Sequence, residues 1–372
     1  MTLHAVAIPK WGLAMEEGTL TSWLIAEGAS VKPGMEIAEI ETSKIANVLE
    51  VQATGILRRQ VASEGDVRPV GALIGVIADA DEGDDEIDAF ITEFESHFAT
   101  EEQTGIKAPL PEVVQVYGKP IRFLKVAGPD DASGAPMLLI HGFGGDYLNW
   151  MFNQGALAAA RDVYAIDLPG HGGSTKDVGD ATLESLAASV LGWMDVQRLD
   201  TVHLVAHSMG AAVALVLALK EPDRIKSLTA LSGAGFGGTL NRDYVEGFVA
   251  TQTRKALKPV AGLLFANDEL VTREMLDDLI AYKRIDGVGE ALRLLIDNAL
   301  SEASLAALEG KSDDLKVALL PIYGAEDHVV STPAADKQSK GAVVIEKTGH
   351  MPHLEAADNV NARIIAFAAA NE

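Results

Sequence analysis

From residue 137 onward, short apolar runs rich in Val, Ile and Leu alternate with amphipathic helical stretches, and this rhythm limits the fold more than any other feature of the chain. Strands are predicted at Met137–Ile140, Val163–Asp167, Val202–Ala206, Lys226–Leu231, Val317–Tyr323 and Ala342–Glu346. Helices are predicted at Leu183–Gln197 and Met209–Lys220, with a last one starting near Ala357. Strands joined through helices pair in parallel, and a parallel sheet needs apolar cover on both faces. Residues 109–372 should therefore form a doubly wound, mostly parallel α/β sheet. Residues 240–310 are mainly helical, interrupt the rhythm, and should lie as a cap over the carboxyl edge of that sheet.

Residues 1–79 keep a different rhythm, of short strands broken by Gly and Pro: Ala5–Ile8, Gly18–Ile25, Met35–Glu41, Ile45–Val51, Gly55–Val61 and Leu73–Ala78. A quasi-repeat runs through them. Glu27-Gly28, Val31-Lys32-Pro33, Ile37 and Ile40 recur as Glu64-Gly65, Val67-Arg68-Pro69, Ile74 and Ile77. Each half is too small to bury its own apolar face, so the two should pack together as an all-β, two-sheet sandwich. Residues 80–108 separate the two regions. Asp79–Ile106 holds eleven Asp or Glu and no Lys or Arg, the self-repelling composition of a linker. Ile87, Phe90, Ile91, Phe94 and Phe98 nevertheless form one helical stripe. Two readings stand: a short amphipathic helix packed on its own domain, or a docking helix for another protein.

Bulk properties narrow the function. The formal net charge of -24 argues against nucleic acid and anionic membrane surfaces as partners, since both select clustered Lys and Arg. The chain has no cysteine, hence no disulfide, thiolate nucleophile or cysteine-ligated metal site. Its first residues lack the basic-then-apolar pattern of a secretion signal, and no apolar run approaches the roughly 20 residues that span a bilayer. A cytoplasmic protein is expected.

Two places carry chemistry. The first is Glu41-Thr42-Ser43-Lys44-Ile45, between apolar-alternating runs and midway between the half-repeats, where a tight turn should project the Lys44 ammonium into water. By itself that is an ordinary turn lysine. The second is Ala206-His207-Ser208-Met209-Gly210, where an apolar strand turns sharply into a helix and exposes a serine hydroxyl. Ala206 stands where the Gly-x-Ser-x-Gly pattern has its first glycine. Asp327 follows the strand ending at Tyr323, and Thr348-Gly349-His350 follows the next strand. Ser, Asp and His in that order, each at a strand end, make a candidate catalytic triad. Upstream, His141-Gly142-Phe143-Gly144-Gly145 follows a strand, which would aim the backbone N–H groups of Phe143 and Met209 at a developing oxyanion. His141 and the His171 of Asp167-Leu168-Pro169-Gly170-His171-Gly172 are read as loop-fixing residues.

Residues 2–78 resemble the lipoyl domain of acyltransferase subunits in 2-oxo-acid dehydrogenase complexes. Gly12, Met15, Glu17-Gly18, Glu27-Gly28, Pro33-Gly34, Glu41-Thr42-Ser43-Lys44 and Glu64-Gly65-Asp66-Val67 carry the likeness. Ser43 and Ile45 depart from the usual flanking residues. Biotin carrier domains usually hold their lysine between two methionines, absent here. The later motifs resemble the α/β-hydrolases. Together the two halves look like the acyltransferase (E2) subunit of acetoin dehydrogenase complexes. The usual acyltransferase signature, His-x-x-x-Asp-Gly, is missing, since the only Asp-Gly is Asp286-Gly287 and Tyr282 stands four residues before Asp286.

This resemblance implies lipoate covalently attached to Lys44 and transfer of acetyl from S-acetyl-dihydrolipoyl-Lys44 to coenzyme A, through Ser208, Asp327 and His350. It implies thiamine-diphosphate-dependent E1 subunits and a flavin-dependent dihydrolipoyl dehydrogenase as partners. It leaves self-association open. Lys283 and Arg284 in the cap are candidate contacts for the phosphates of coenzyme A. Two alternatives remain from the residues: a serine esterase or thioesterase fused to a lipoyl carrier, and a non-catalytic swinging-arm carrier.

Overall fold

The computed structural model describes residues 3–9, 17–41, 46–51, 53–103, 109–334 and 341–372. It contains two compact units, Met1–Ala108 and Pro109–Glu372. Among the described residues, no helix is long and apolar enough to cross a membrane.

The first unit is a sandwich of two four-stranded sheets. Its strands are β1 (Leu3–Ala7), β2 (Glu17–Trp23), β3 (Ser30–Val31), β4 (Glu36–Glu41), β5 (Ala46–Glu50), β6 (Gly55–Gln60), β7 (Val67–Pro69) and β8 (Leu73–Ala78). One sheet has the order β1-β8-β6-β3 and the other β5-β4-β2-β7. The quasi-repeat appears here as geometry. Its first copy supplies β3 to one sheet and β4 to the other; its second supplies β7 and β8 in the reverse arrangement. Gly28 and Gly65, and likewise Gly34 and Gly71, hold left-handed φ angles of 81° to 93°. Each pair lies 37 residues apart, so both copies turn on backbone that a side chain would strain. Leu20, Ile37, Ile40, Leu57, Ile74 and Ile77 form the core between the sheets.

The acidic segment expected as a linker is largely a 20-residue helix, α1 (Asp84–Gln103), that belongs to this first unit. Its apolar stripe lies on the outer face of the sheet. Ile87 is fully buried with Leu73, Val76 and Ala78, while Phe90, Ile91 and Phe94 pack at the edge of that cluster. Arg58, Arg59 and Arg68 reach carboxylates of α1 at Asp84, Asp88 and Glu95. The basic side chains that offset its charge thus come from the sheet rather than from the helix. Among these described residues the stripe covers its own domain, and the docking-helix reading loses its free apolar face.

The second unit is built on an eight-stranded sheet. The strands are β9 (Glu112–Val116), β10 (Lys119–Val126), β11 (Met137–Ile140), β12 (Val163–Ile166), β13 (Val202–His207), β14 (Ile225–Leu231), β15 (Ala318–Gly324) and β16 (Val343–Ile345). Their order is β16-β15-β14-β13-β11-β12-β10-β9, parallel from β16 to β12 and antiparallel at the β10–β9 edge. The helices are α2 (Gln154–Leu157), α3 (Leu183–Val196), α4 (Met209–Lys220), α5 (Arg242–Ala250), α6 (Arg254–Gly262), α7 (Arg273–Lys283), α8 (Val288–Asp297), α9 (Glu302–Ala306), α10 (Pro352–Glu355) and α11 (Ala357–Ala369). Alternate residues of a central strand face opposite sides. Leu138, Ile140, Leu204 and Ala206 pack with α3 and α4, whereas Met137, Leu139 and Val205 pack with α2 and α11. Both faces are therefore covered, as a parallel sheet requires. Helices α5 to α9 fill the stretch expected as a cap.

Candidate active site

Ser208 stands between the last residue of β13 and the first of α4, with φ 54° and ψ -119°. Its backbone is fastened from both sides: its N–H donates to the Leu231 carbonyl at 3.0 Å, and its carbonyl accepts from Ala234 at 3.1 Å. The hydroxyl does not cap α4, so it is left for other work. The corner is tight. A methyl on Gly210 would come within 2.3 Å of the His141 carbonyl oxygen, which is why a glycine follows two residues after the serine. Ala206, where the pattern has glycine, is buried among β11 and β14 without crowding.

His350 and Asp327 meet. The Nδ1 of His350 lies 2.8 Å from Oδ2 of Asp327, and the other carboxylate oxygen accepts N–H bonds from Val329 and Val330 at 2.8 and 2.9 Å. The carboxylate is thus fixed in orientation and the ring is fixed by it, which leaves Nε2 of His350 for proton transfer. Both side chains of this pair are 1–2% exposed. Ser208, His350 and Phe143 border one cavity of about 50 Å³. The amides of Phe143 and Met209 donate to no acceptor among the described residues, whereas the neighbouring Gly144 amide is already taken by Nε2 of His171 at 3.0 Å.

The loop-fixing histidines act as expected. His141 accepts the Leu168 amide through Nε2 at 3.0 Å, and its Nδ1 lies 2.7 Å from the Gly142 carbonyl. Burial lowers the basicity of both His141 and His171, which keeps a ring nitrogen available as acceptor. Asp167 completes this support: it is fully buried, pairs with Arg122, and accepts the amides of Tyr147 and Gly173 at 2.8 Å each.

Sequence reasoning passed over two further supports. His207 donates through Nε2–H to the His350 carbonyl at 2.8 Å, which fixes the proton on that nitrogen. Its ring centre lies 4.6 Å from that of His350 and 4.7 Å from that of His353, tilted against both. Glu355 takes the amides of Gly349 and Ala266 at 2.8 and 2.9 Å, joining the loop of His350 to the cap. The only signal for either is nearness in sequence to Ser208 and His350.

Lys283 is where the structure departs from expectation. Its side chain is buried, and its ammonium donates to the carbonyls of Phe248 (2.9 Å) and Thr251 and to the Thr251 hydroxyl at 3.3 Å. Burial lowers its pKa to about 8. An ammonium so committed has no donor left for a phosphate. Arg284, by contrast, is exposed. Lys44 falls among residues 42–45, outside the described residues; the strands on either side, β4 and β5, pair with Glu41 opposite Ala46.

A serine at a cavity shared with His350 and Phe143, an imidazole–carboxylate pair and two uncommitted amides beside that serine can form and resolve an acyl-serine. Comparison with known proteins agrees in outline. Residues 137–363 match the alpha/beta hydrolase family, and residues 4–77 match the biotin-requiring enzyme family. Over 98% of its length the chain is 40% identical to the dihydrolipoyllysine-residue acetyltransferase component of the acetoin cleaving system of Pseudomonas putida, itself covered to 98%. The component of the same name from Cupriavidus necator is also 40% identical, over 97% of this chain and 96% of its own. The chain belongs to this acetyltransferase family.

Its catalytic-type unit shares a fold with solved hydrolases at lower identity. A meta-cleavage product hydrolase from Pseudomonas fluorescens is 21% identical with a TM-score of 0.61, covering 69% of this chain and 96% of that one. An enol-lactonase from Burkholderia xenovorans is 24% identical with a TM-score of 0.58, covering 69% and 99%.

Proposed function

We propose that this chain transfers an acetyl group from a lipoyl arm on Lys44 to coenzyme A, using Ser208 as nucleophile, His350 as base and Asp327 to orient it. The observation that carries the reading is the shared cavity of Ser208, His350 and the uncommitted Phe143 amide. Lys44 fits the arm, because it lies in the short stretch joining two strands whose ends are paired. Lipoate supplies, when bound, a dithiol able to carry an acyl group as a thioester.

The geometry supports the following steps for the protein's own groups. His350 takes the proton of Ser208 as the serine oxygen attacks the acyl carbonyl. The amides of Phe143 and Met209 hold the oxyanion; losing one such donor typically lowers a rate by about two to three powers of ten. His350 returns the proton to the departing sulfur. It then deprotonates the thiol of coenzyme A, which attacks the acyl-serine and releases Ser208. Water in place of coenzyme A would make the same site a thioesterase. With acetyl-dihydrolipoamide as donor, acetyl-coenzyme A should accumulate. Release of acetate at one rate with or without coenzyme A would sink the transferase reading.

Lys44→Arg should abolish the lipoyl mass increment and all transfer from the protein's own arm, yet leave turnover of free acetyl-dihydrolipoamide intact. Intact-mass spectrometry and the free-donor assay together check this, and an increment surviving in the variant would move the attachment elsewhere. Arg284 supports contact with the phosphates of coenzyme A, as an exposed guanidinium at the end of α7, the helix that also brings Met275 and Leu279 to the cavity. Arg284→Glu should raise the KM for coenzyme A several-fold with kcat little changed; an unaltered KM removes Arg284 from the binding path. In the cell we place the chain in the cytoplasm, in a multienzyme complex with thiamine-diphosphate-dependent and flavin-dependent subunits.

A further inference from the structure

We propose that Phe248, clamped from behind by the buried ammonium of Lys283, limits the length of the acyl group that Ser208 accepts and favours short chains. This rests on the reading that Ser208 becomes acylated, and adds what decides the acyl group.

The cavity beside Ser208 measures about 50 Å³. That is small beside the roughly 300–1,000 Å³ of ordinary ligand pockets, so each methylene added to an acyl chain is pressed against the walls. The cap side of its wall is apolar, with Tyr244, Phe248, Leu264, Met275 and Leu279. Phe248 is 2% exposed and meets Phe143 edge-on, with ring centroids 5.9 Å apart. On the side of the oxyanion loop there is no slack, since a methyl on Gly144 would lie 2.8 Å from the Phe248 ring. The ring cannot move toward the loop.

Lys283 closes the other direction. Its ammonium sits 5.0 Å from the centre of the Phe248 ring, in cation–π range. Its three donors meet the carbonyls of Phe248 and Thr251 and the Thr251 hydroxyl. The Phe248 carbonyl belongs to the last turn of α5 and that of Thr251 to the residue capping it, where a helix leaves carbonyls without intrahelical donors and where positive charge is favoured. Among the described residues no carboxylate pairs with Lys283. A buried cation whose neighbours are two backbone carbonyls, a hydroxyl and a ring does one thing well: it fixes the end of α5, and with it Phe248, against α7. Lys283 is a positioning residue and Phe248 the wall itself.

The test uses the full-length protein and p-nitrophenyl acetate, butyrate and hexanoate. The serine oxygen forms an ester with the acyl carbon, p-nitrophenolate leaves, and water hydrolyses the acyl-serine to the free acid. The wild type should favour acetate over butyrate in kcat/KM by about tenfold or more, the scale on which a methylene is discriminated in an apolar pocket. Phe248→Ala and the milder Phe248→Leu should each cut that ratio, the former by about tenfold. Lys283→Met should relax the ratio as well, whereas Lys283→Gln, which keeps amide donors toward the same carbonyls, should retain most of it. A wild type indifferent to chain length, or a ratio unmoved in both Phe248 variants, overturns the proposal. A Lys283→Met protein that melts lower with its ratio intact overturns the part given to Lys283. The esters involve neither lipoyl arm nor coenzyme A, so failed transfer to coenzyme A leaves this result readable. No ester turnover by the wild type would overturn the acyl-serine reading and the pocket together.

Discussion

Ser208→Ala is expected to lower acetyl transfer from free acetyl-dihydrolipoamide to coenzyme A by about four to six powers of ten, the usual loss when a triad nucleophile is removed. The same variant should melt at the wild-type temperature. The serine hydroxyl caps no helix, and the bonds that hold the corner run through its N–H and carbonyl, which alanine keeps. The φ of 54° is as strained for one residue as for the other. Rate and stability are thus separable here, which is uncommon for a buried residue. A variant retaining near wild-type transfer would exclude the serine as nucleophile and favour direct attack by the thiol of coenzyme A.

Acid should unfold the second unit unusually early. His141, His171, His207 and His353 are all buried, and burial pushes each below its ordinary value, His353 to about 3. Above pH 6.5 these rings are neutral folded and unfolded, and contribute no pH dependence. Below it the unfolded chain takes up protons that the fold refuses, so stability falls as pH falls. From pH 6.5 to 5, keeping His353 neutral costs about 2 kcal/mol, and the other three rings add to it in the same direction. A domain has about 5–15 kcal/mol in total. Asp146 opposes this, because burial and the nearby Asp167 raise its carboxyl to about 6. It takes up its proton in the fold first and returns about 1 kcal/mol over the same interval.

The histidines outweigh it. Melting temperatures should therefore drop steeply between pH 6.5 and 5. His353→Phe should make that limb shallower by about one proton. The ring stacks 4.6 Å from Trp150 and neither nitrogen has a partner among the described residues, so phenylalanine gives up no hydrogen bond. A melting temperature flat over this range, or a limb unchanged in His353→Phe, would show that these rings do take up protons in the fold.

The sheet and the candidate triad were legible because both depend on local pattern. A parallel strand buried on both faces is a continuous apolar run, and a residue at its carboxyl end arrives at the site whatever the connecting segments do. That logic places Ser208, Asp327 and His350. The antiparallel edge was not read. Strands β9 and β10 turn through Tyr117 and Gly118, both left-handed at φ 51° and 77°, and a tyrosine there is no signal for a hairpin. The cavity walls were not legible either. Phe248 comes from α5 and Met275 and Leu279 from α7, and a helix has the same amphipathic spacing whether its apolar face meets a core or a substrate. Lys283 misled for a related reason. Its charge points to the surface, and only the folded cap reveals the carbonyls of Phe248 and Thr251, at the end of α5, opposite it.

The helix α1 changes what counts as a separable piece of this chain. A fragment ending at residue 79, where the strand pattern stops, would strip the cover from Leu73 and Val76 and leave the sheet's outer face as a sticky apolar surface. Arg58, Arg59 and Arg68 would lose their α1 carboxylates in the same cut, Arg68 keeping Asp66. Such a fragment would invite self-association through that face. An excised N-terminal module has to run through Gln103, and the acidic stretch then serves as its lid.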